Sequence, residues 1–220
     1  WLTTAFMLTM AVVIPATGFL LKRFTTRTAF VAAMSLFSLG TLIALVSPGF
    51  EMLVVARVVQ ASGTAIMMPL LMTTLMTVVP PHARGRMMGR VSIVMSLAPA
   101  IGPTLSGFLL DYSWRWIFAV VLPIAVVALF VGARWIHNLN EPVHAPIDVL
   151  SIILSAFGFG GIVYGLSQIG GAASHGAMSA ADAAAASATS TITLIVAFGV
   201  GAVSMGLFIW RQVILQRVDD

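Results

Sequence analysis

Cysteine is absent from the 220 residues, which excludes a disulfide framework and any thiolate metal site. Charge is scarce as well: Asp, Glu, Lys and Arg make up 8% of the chain against 60% hydrophobic residues, and the mean hydropathy is +1.05. A soluble fold has too little polar surface to cover that much apolar material. No Gly-rich phosphate loop follows a strand, and the four histidines, His82, His137, His144 and His175, are scattered among polar breaks without the spacing of metal ligands. An enzyme embedded in a membrane needs a polar cluster at depth or a nucleophile or metal constellation at the interface. Lacking these, the chain is expected to carry no catalytic residue, no metal and no cofactor.

What is there is apolar sequence in long runs, at about 2 to 21, 29 to 47, 52 to 78, 88 to 110, 116 to 134, 148 to 168 and 191 to 211. A bilayer core about 30 Å thick takes roughly 20 residues of helix to cross, so each run is a candidate span. Gly, Ala, Met, Leu and Val fill them without the apolar/polar alternation of a membrane barrel strand, and only closed helices then satisfy the backbone in lipid. The expected class is an all-α integral membrane bundle of about seven transmembrane helices.

The net charge of +4 and a pI near 10.7 raise the possibility of nucleic acid, but the basic residues sort by side of a membrane instead. Lys22, Arg23 and Arg27 fall in one break, Arg84, Arg86 and Arg90 in another, then Arg134, then Arg211 and Arg217. The alternate breaks hold Glu51, Asp111, Asp182 and Arg115. The positive-inside rule makes the first set cytoplasmic, and the alternation holds through all the runs. Tryptophan agrees: Trp1, Trp114 and Trp116 mark outer ends, Trp135 and Trp210 inner ends, where an amphipathic indole sits at headgroup level. Trp1 opens an apolar run with neither an initiator Met nor a basic n-region, so the true N-terminus is expected to lie upstream.

One charge breaks the pattern. Arg57 lies roughly two turns inside the third run, in Leu53-x-x-x-Arg57-x-x-Gln60-Ala61-x-Gly63-x-Ala65. An Arg at the centre of a membrane helix costs about 3 kcal/mol, so it either snorkels outward on its aliphatic stem or faces a cavity or partner. Gln60 is spaced to share or flank its face and to hydrogen-bond the guanidinium or a substrate, whereas Gly63 and Ala65 suit close helix packing. No carboxylate lies equally deep: Glu51, Asp111, Asp148 and Asp182 are all at run ends or in breaks.

Several strings resemble the major facilitator superfamily, and within it the fourteen-span drug:proton antiporters. Gly18, Arg23 and Arg27 match the loop signature that follows the second span and locks helices in one access state; Lys22 stands where that signature carries an acidic residue and Thr25 where it carries a second glycine. Arg57 and its followers resemble the fourth-span signature whose arginine is linked to proton transfer, with Ala61 for the usual glycine. Pro99, Gly102, Pro103 and Gly107 resemble the fifth-span antiporter signature, with Ser106 for the first of its paired glycines. Two prolines inside an apolar helix each remove a donor, so a bend is expected there. The string Trp114-Arg115-Trp116-Ile117-Phe118 is similar to an outer turn of the same exporters.

The resemblance implies spans two to eight of fourteen. Residues 1–134 would belong to an N-terminal six-helix bundle without its first span, 135–147 to a cytoplasmic linker and 148–211 to two extra helices between bundles; 212–220 would begin the second half. The linker carries Glu141, Pro142, His144 and Pro146; Asp148 suits a helix N-terminus, Gly161-x-x-x-Gly165 a packing face, and the Gly, Ala and Ser-rich stretch 170–190 an outer loop. It further implies a multi-pass protein of the cytoplasmic membrane whose partners are a small-molecule substrate, protons and the lipid bilayer, with no nucleic acid. Efflux of drugs or other small lipophilic compounds in exchange for protons is the activity implied. Arg57 and Gln60 would serve coupling, while Gly18, Arg23 and Arg27 form the gating loop and the proline-broken helix the antiporter element. Export of one metabolite, lipid or siderophore, or a scaffold or receptor role, stays open at this point, as do substrate and oligomeric state.

Overall fold

The computed structural model describes residues 2–138, 149–172 and 195–211, and every regular element among them is helical. In chain order these are α1 (Leu2–Arg23), α2 (Thr26–Val46), α3 (Phe50–Val78), α4 (Arg84–Leu110), α5 (Arg115–Trp135), α6 (Val149–Ala172) and α7 (Ile195–Arg211), with a single 3-10 turn at Pro81–Ala83 before α4. The first five elements, the 3-10 turn counted with α4, are long and apolar enough to cross a membrane, and α6 and α7 contain the shorter apolar stretches Leu150–Leu166 and Ile195–Arg211. The all-α membrane class read from the sequence is the class observed. The linker residues Glu141, Pro142, His144, Pro146 and Asp148, and most of the stretch 170–190, lie outside the described residues.

Helix ends extend past the apolar runs where the local chemistry permits. The second run starts at 29, yet α2 begins at Thr26, because extended Thr25 caps it by accepting a hydrogen bond from the Thr28 amide at 3.3 Å. The third run starts at 52, yet α3 begins at Phe50 after extended Gly49, whose carbonyl takes the Leu53 amide at 3.2 Å. At its other end Arg84 reaches back, donating from Nε to the Val79 carbonyl at 3.1 Å and from Nη2 to the Met76 carbonyl at 2.8 Å. A guanidinium there satisfies carbonyls left open by the helix end and suits its dipole. Helix α4 runs unbroken through Pro99 and Pro103.

The chain forms two compact units, Leu20–His144 and a second made of Trp1–Phe19 with Ala145–Asp220. In the first unit α2 packs along α3 and against α5. The α2–α3 contact is backbone on backbone. A Cβ on Gly40 would meet the Gln60 amide nitrogen at 2.5 Å and the Ala56 carbonyl at 2.8 Å, and one on Gly63 would strike the Ala33 carbonyl and the Phe37 amide. Ala33, Ala44, Ala56, Ala61 and Ala65 fill the rest of this surface and are fully buried. Small residues let helices approach in lipid, where dispersion must replace the hydrophobic effect. On α5, Gly132 takes the ring of Phe30, and Leu21 packs with Ala29 and Leu70 at the basic end.

At the opposite end α5 is tied down by Arg115, whose Nη2 donates to the Ser47 carbonyl at the end of α2 at 2.9 Å while its guanidinium lies 5.1 Å from the Trp114 ring. The charge closes an open helix carbonyl. In the other unit, Gly161 and Gly165 back onto α7: a Cβ on Gly161 would meet the Ala197 carbonyl at 2.8 Å and Gly201 at 3.1 Å, and one on Gly165 the Phe198 ring at 2.9 Å. That is the packing role expected of the pair.

Two variants test this architecture. Gly63→Leu is expected to lower stability by about 3 kcal/mol or more, since backbone cannot yield as a side chain can. Gly85→Ala, whose Cβ meets nothing, should leave the melting temperature in detergent unchanged or slightly higher. Equal melting of the two variants would refute the close contact. For Arg115→Ala a loss of about 1 kcal/mol is expected in the same assay, only partly restored by Lys, which lacks the planar stacking surface.

Candidate functional site

Arg57 lies on α3 seven residues past Phe50, a rise of about 10 Å from the helix start. Half-buried, its guanidinium meets one residue of its own helix and one of α5. Nη1 donates to Gln60 Oε1 at 3.0 Å, and Cζ sits 5.2 Å from the centroid of the Phe118 ring on α5. Phe118 packs with Ala44 and Ala56 in a small buried cluster flanked by Ile43, Leu45 and Leu53, so the cation lies over an aromatic face in apolar surroundings. Such a position strengthens both the cation–π attraction and the charge-assisted hydrogen bond.

Gln60 is itself buried, on the α3 face that meets Gly40. Both ends of its amide are engaged. Nε2 donates to Thr41 Oγ1 on α2 at 3.0 Å, and the Thr41 hydroxyl donates onward to the Phe37 carbonyl one turn earlier at 2.7 Å. Thr64 donates to the Gln60 carbonyl at 3.0 Å, closing the same turn from below. The result is a line of polar groups from Arg57 across the helix interface, embedded in alanine and glycine. Polar groups at this depth must find each other because no water competes for them.

The other residues singled out from sequence lie apart from this line. Arg23 ends α1 and Arg27 stands in the first turn of α2, both exposed beside the two-residue connection Phe24–Thr25, together with exposed Lys22. Gly18 stands earlier on α1, with open space where a Cβ would be. Pro99, Gly102, Pro103 and Gly107 run along α4, none of whose described residues is buried. Its apolar side chains, among them Ile93, Val94, Leu97 and Ile101, are exposed, and a Cβ on Gly102 or Gly107 meets nothing within 4 Å. Helix α4 touches α5 and the 3-10 turn lightly, so these residues are not gathered around Arg57. Of the pairs proposed from spacing, Arg57 with Gln60 is the one brought into direct contact.

Thr41 and Phe37 escaped the sequence reading, and Phe118 entered it as the end of the Trp114–Phe118 string but not as a neighbour of Arg57. The hydroxyl of one threonine in an apolar helix is ordinarily absorbed by the carbonyl one turn back, and phenylalanine is ordinary membrane filling. A faint signal existed in Gly40-Thr41, a small and a polar residue side by side in a run whose other polar residues are Ser35, Ser38 and Ser47. Among the described residues no group of three or more His, Asp or Glu side chains gathers as a metal site would require.

Comparison with known proteins accords with this picture. The family model described as Major Facilitator Superfamily matches residues 1–215. An uncharacterized MFS-type transporter, YcnB of Bacillus subtilis, is 43% identical over 218 residues, 99% of this chain and 43% of its own length. The lincomycin resistance protein LmrB of Listeria monocytogenes is 42% identical over the same shares. A multidrug resistance protein B homolog of Mycobacterium tuberculosis is 35% identical over 169 residues, 76% of this chain and 31% of its own length. The chain thus spans somewhat less than half the length of the curated relatives it matches. With helices of membrane-crossing length, glycine-mediated packing and a matched stretch covering nearly all its residues, the chain is a multi-pass membrane protein that belongs to the Major Facilitator Superfamily.

Proposed function

We propose that the complete protein expels small lipophilic compounds, drugs among them, across the cytoplasmic membrane in exchange for protons, and that Arg57 and Gln60 belong to the coupling path. The observation that carries this reading is the placement of Arg57: a cation held two turns inside an apolar helix by Gln60 and the Phe118 ring, where snorkelling to the interface was available to it. Lincomycin and multidrug resistance in the names of relatives support drug export. No carboxylate lies near the middle of a described helix: Glu51 is in the first turn of α3, and Asp111 ends α4. In this reading the proton carrier is a carboxylate in another part of the complete protein. A positive charge beside such a carboxylate favours its ionised form, so Arg57 would set the point at which the proton is released.

In this reading residues 1–134 contribute to the first bundle, 148–211 are the helices between bundles, and 135–147 link them on the cytoplasmic side. Gly18, Arg23 and Arg27 serve as the inner gating loop; the exposure of the two arginines leaves them available to a moving partner. Pro99, Gly102, Pro103 and Gly107 on α4 present a surface of small residues and prolines against which a second bundle can rock.

The test is collapse of a proton gradient in inverted vesicles carrying the complete protein, on addition of lincomycin or of the lipophilic cation ethidium. Substrate-driven proton movement is expected in the wild type, to be lost in Arg57→Ala and partly kept in Arg57→Lys. Proton movement undiminished in Arg57→Ala would remove Arg57 from the path. If neither compound moved protons in folded, inserted wild type, antiport of drugs would give way to export of a specific metabolite.

A further inference from the structure

The hydrogen bonds from Arg57 to Phe37 have one possible direction, and this assigns a role to a residue outside every motif considered above. A guanidinium only donates, so the Gln60 atom facing Arg57 at 3.0 Å must be the amide oxygen. At the other end the Phe37 carbonyl only accepts, so the Thr41 hydroxyl spends its proton there, at 2.7 Å, and can only receive from Gln60. Both ends demand the same amide orientation: Nε2 toward Thr41 at 3.0 Å and Oε1 toward Arg57. Thr41 is fully buried and Gln60 nearly so, at 0% and 5% exposure, so neither group faces bulk solvent.

We propose that Thr41 is a positioning residue for the coupling site: as acceptor for Gln60 Nε2 it locks the amide so that Oε1 always faces the guanidinium of Arg57. The inference rests on the reading of Arg57 and Gln60 as coupling residues. Its physical content is orientation. An amide released from Thr41 loses the anchor of its Nε2 end and leaves a buried donor unpaired, so the side chain can swing to another acceptor and carry Oε1 away from Arg57; the guanidinium is then no longer held in one place over Phe118. The close approach of α2 to α3 at Gly40 puts Thr41 within reach of Gln60, since Gly40 abuts the Gln60 backbone itself.

Thr41→Val keeps the shape and removes the acceptor, whereas Thr41→Ser keeps it. In proteoliposomes of the complete protein, with lincomycin or ethidium as the driving compound, Thr41→Val is expected to lower proton movement about three- to tenfold, the range one lost neutral hydrogen bond supports. Thr41→Ser should retain it. Thr41→Val should lower it no further once Gln60→Leu is present, because both act through one amide. Wild-type rates in Thr41→Val, or a further full loss on top of Gln60→Leu, would overturn the proposal. Should Thr41→Val not insert, Thr41→Cys, similar in size and a weak acceptor, serves instead. If wild type moves no protons with either compound, the antiport reading fails on its own and orientation is decided by 15N spectra of glutamine-labelled protein in lipid. The side-chain amide signal that disappears in Gln60→Leu should then shift and lose protection from exchange in Thr41→Val; an unchanged signal would refute the role of Thr41.

Discussion

Backbone approach between α2 and α3 governs the rest of the first unit. Glycines at 40 and 63 put no side chain of their own between the helices, and each opposes the other helix at a backbone amide and a carbonyl. A hydrophobic driving force between helices vanishes in lipid, so such packing must supply the attraction, and it does so only at short range. Short range then makes the polar line possible. With any larger residue at 40 the two helices would separate, and the Thr41 hydroxyl would no longer stand within 3.0 Å of Gln60.

Arg57 gains its position from that line and from Phe118. Burying a guanidinium at depth costs several kcal/mol unless its donors and its charge are engaged, and here one nitrogen meets an amide oxygen while the plane of charge lies near an aromatic ring. The ring arrives from α5, which is anchored at its start by Arg115 on the Ser47 carbonyl and along its length by Gly132 against Phe30. The two arginines divide the labour. One closes a helix end and holds α5 in place; the other uses the surface that α5 then presents.

Helix α4 behaves differently. Its prolines and glycines lie on an element with no buried residue, whose packing is confined to light contact with α5 and the 3-10 turn. Motif residues on such a helix hold nothing in this unit together, in contrast to Gly63, whose motif string is also a packing surface. Small residues on a helix that buries nothing are available to elements that move past it, which is the use proposed for them in exchange.

Much of this protein was decided by composition alone. Apolar runs of membrane length force helices because lipid offers the backbone no partner, and the polar breaks between runs, with Trp at run ends, delimit them without reference to any contact. The runs and the observed helices agree to within a few residues, and they differ where a cap intervenes, as at Thr25 and Gly49. The pairing of Arg57 with Gln60 was legible too, since it is set by helical spacing within one element. Thr41 and Phe118 were not, because they come from α2 and α5, and a hydroxyl or a phenyl ring in an apolar run carries no mark of the neighbour it will meet. The sequence by itself determined class and the cost of a cation deep in an apolar helix; only the tertiary structure decided what surrounds that cation, because helices in lipid are placed by contacts between residues far apart in the chain.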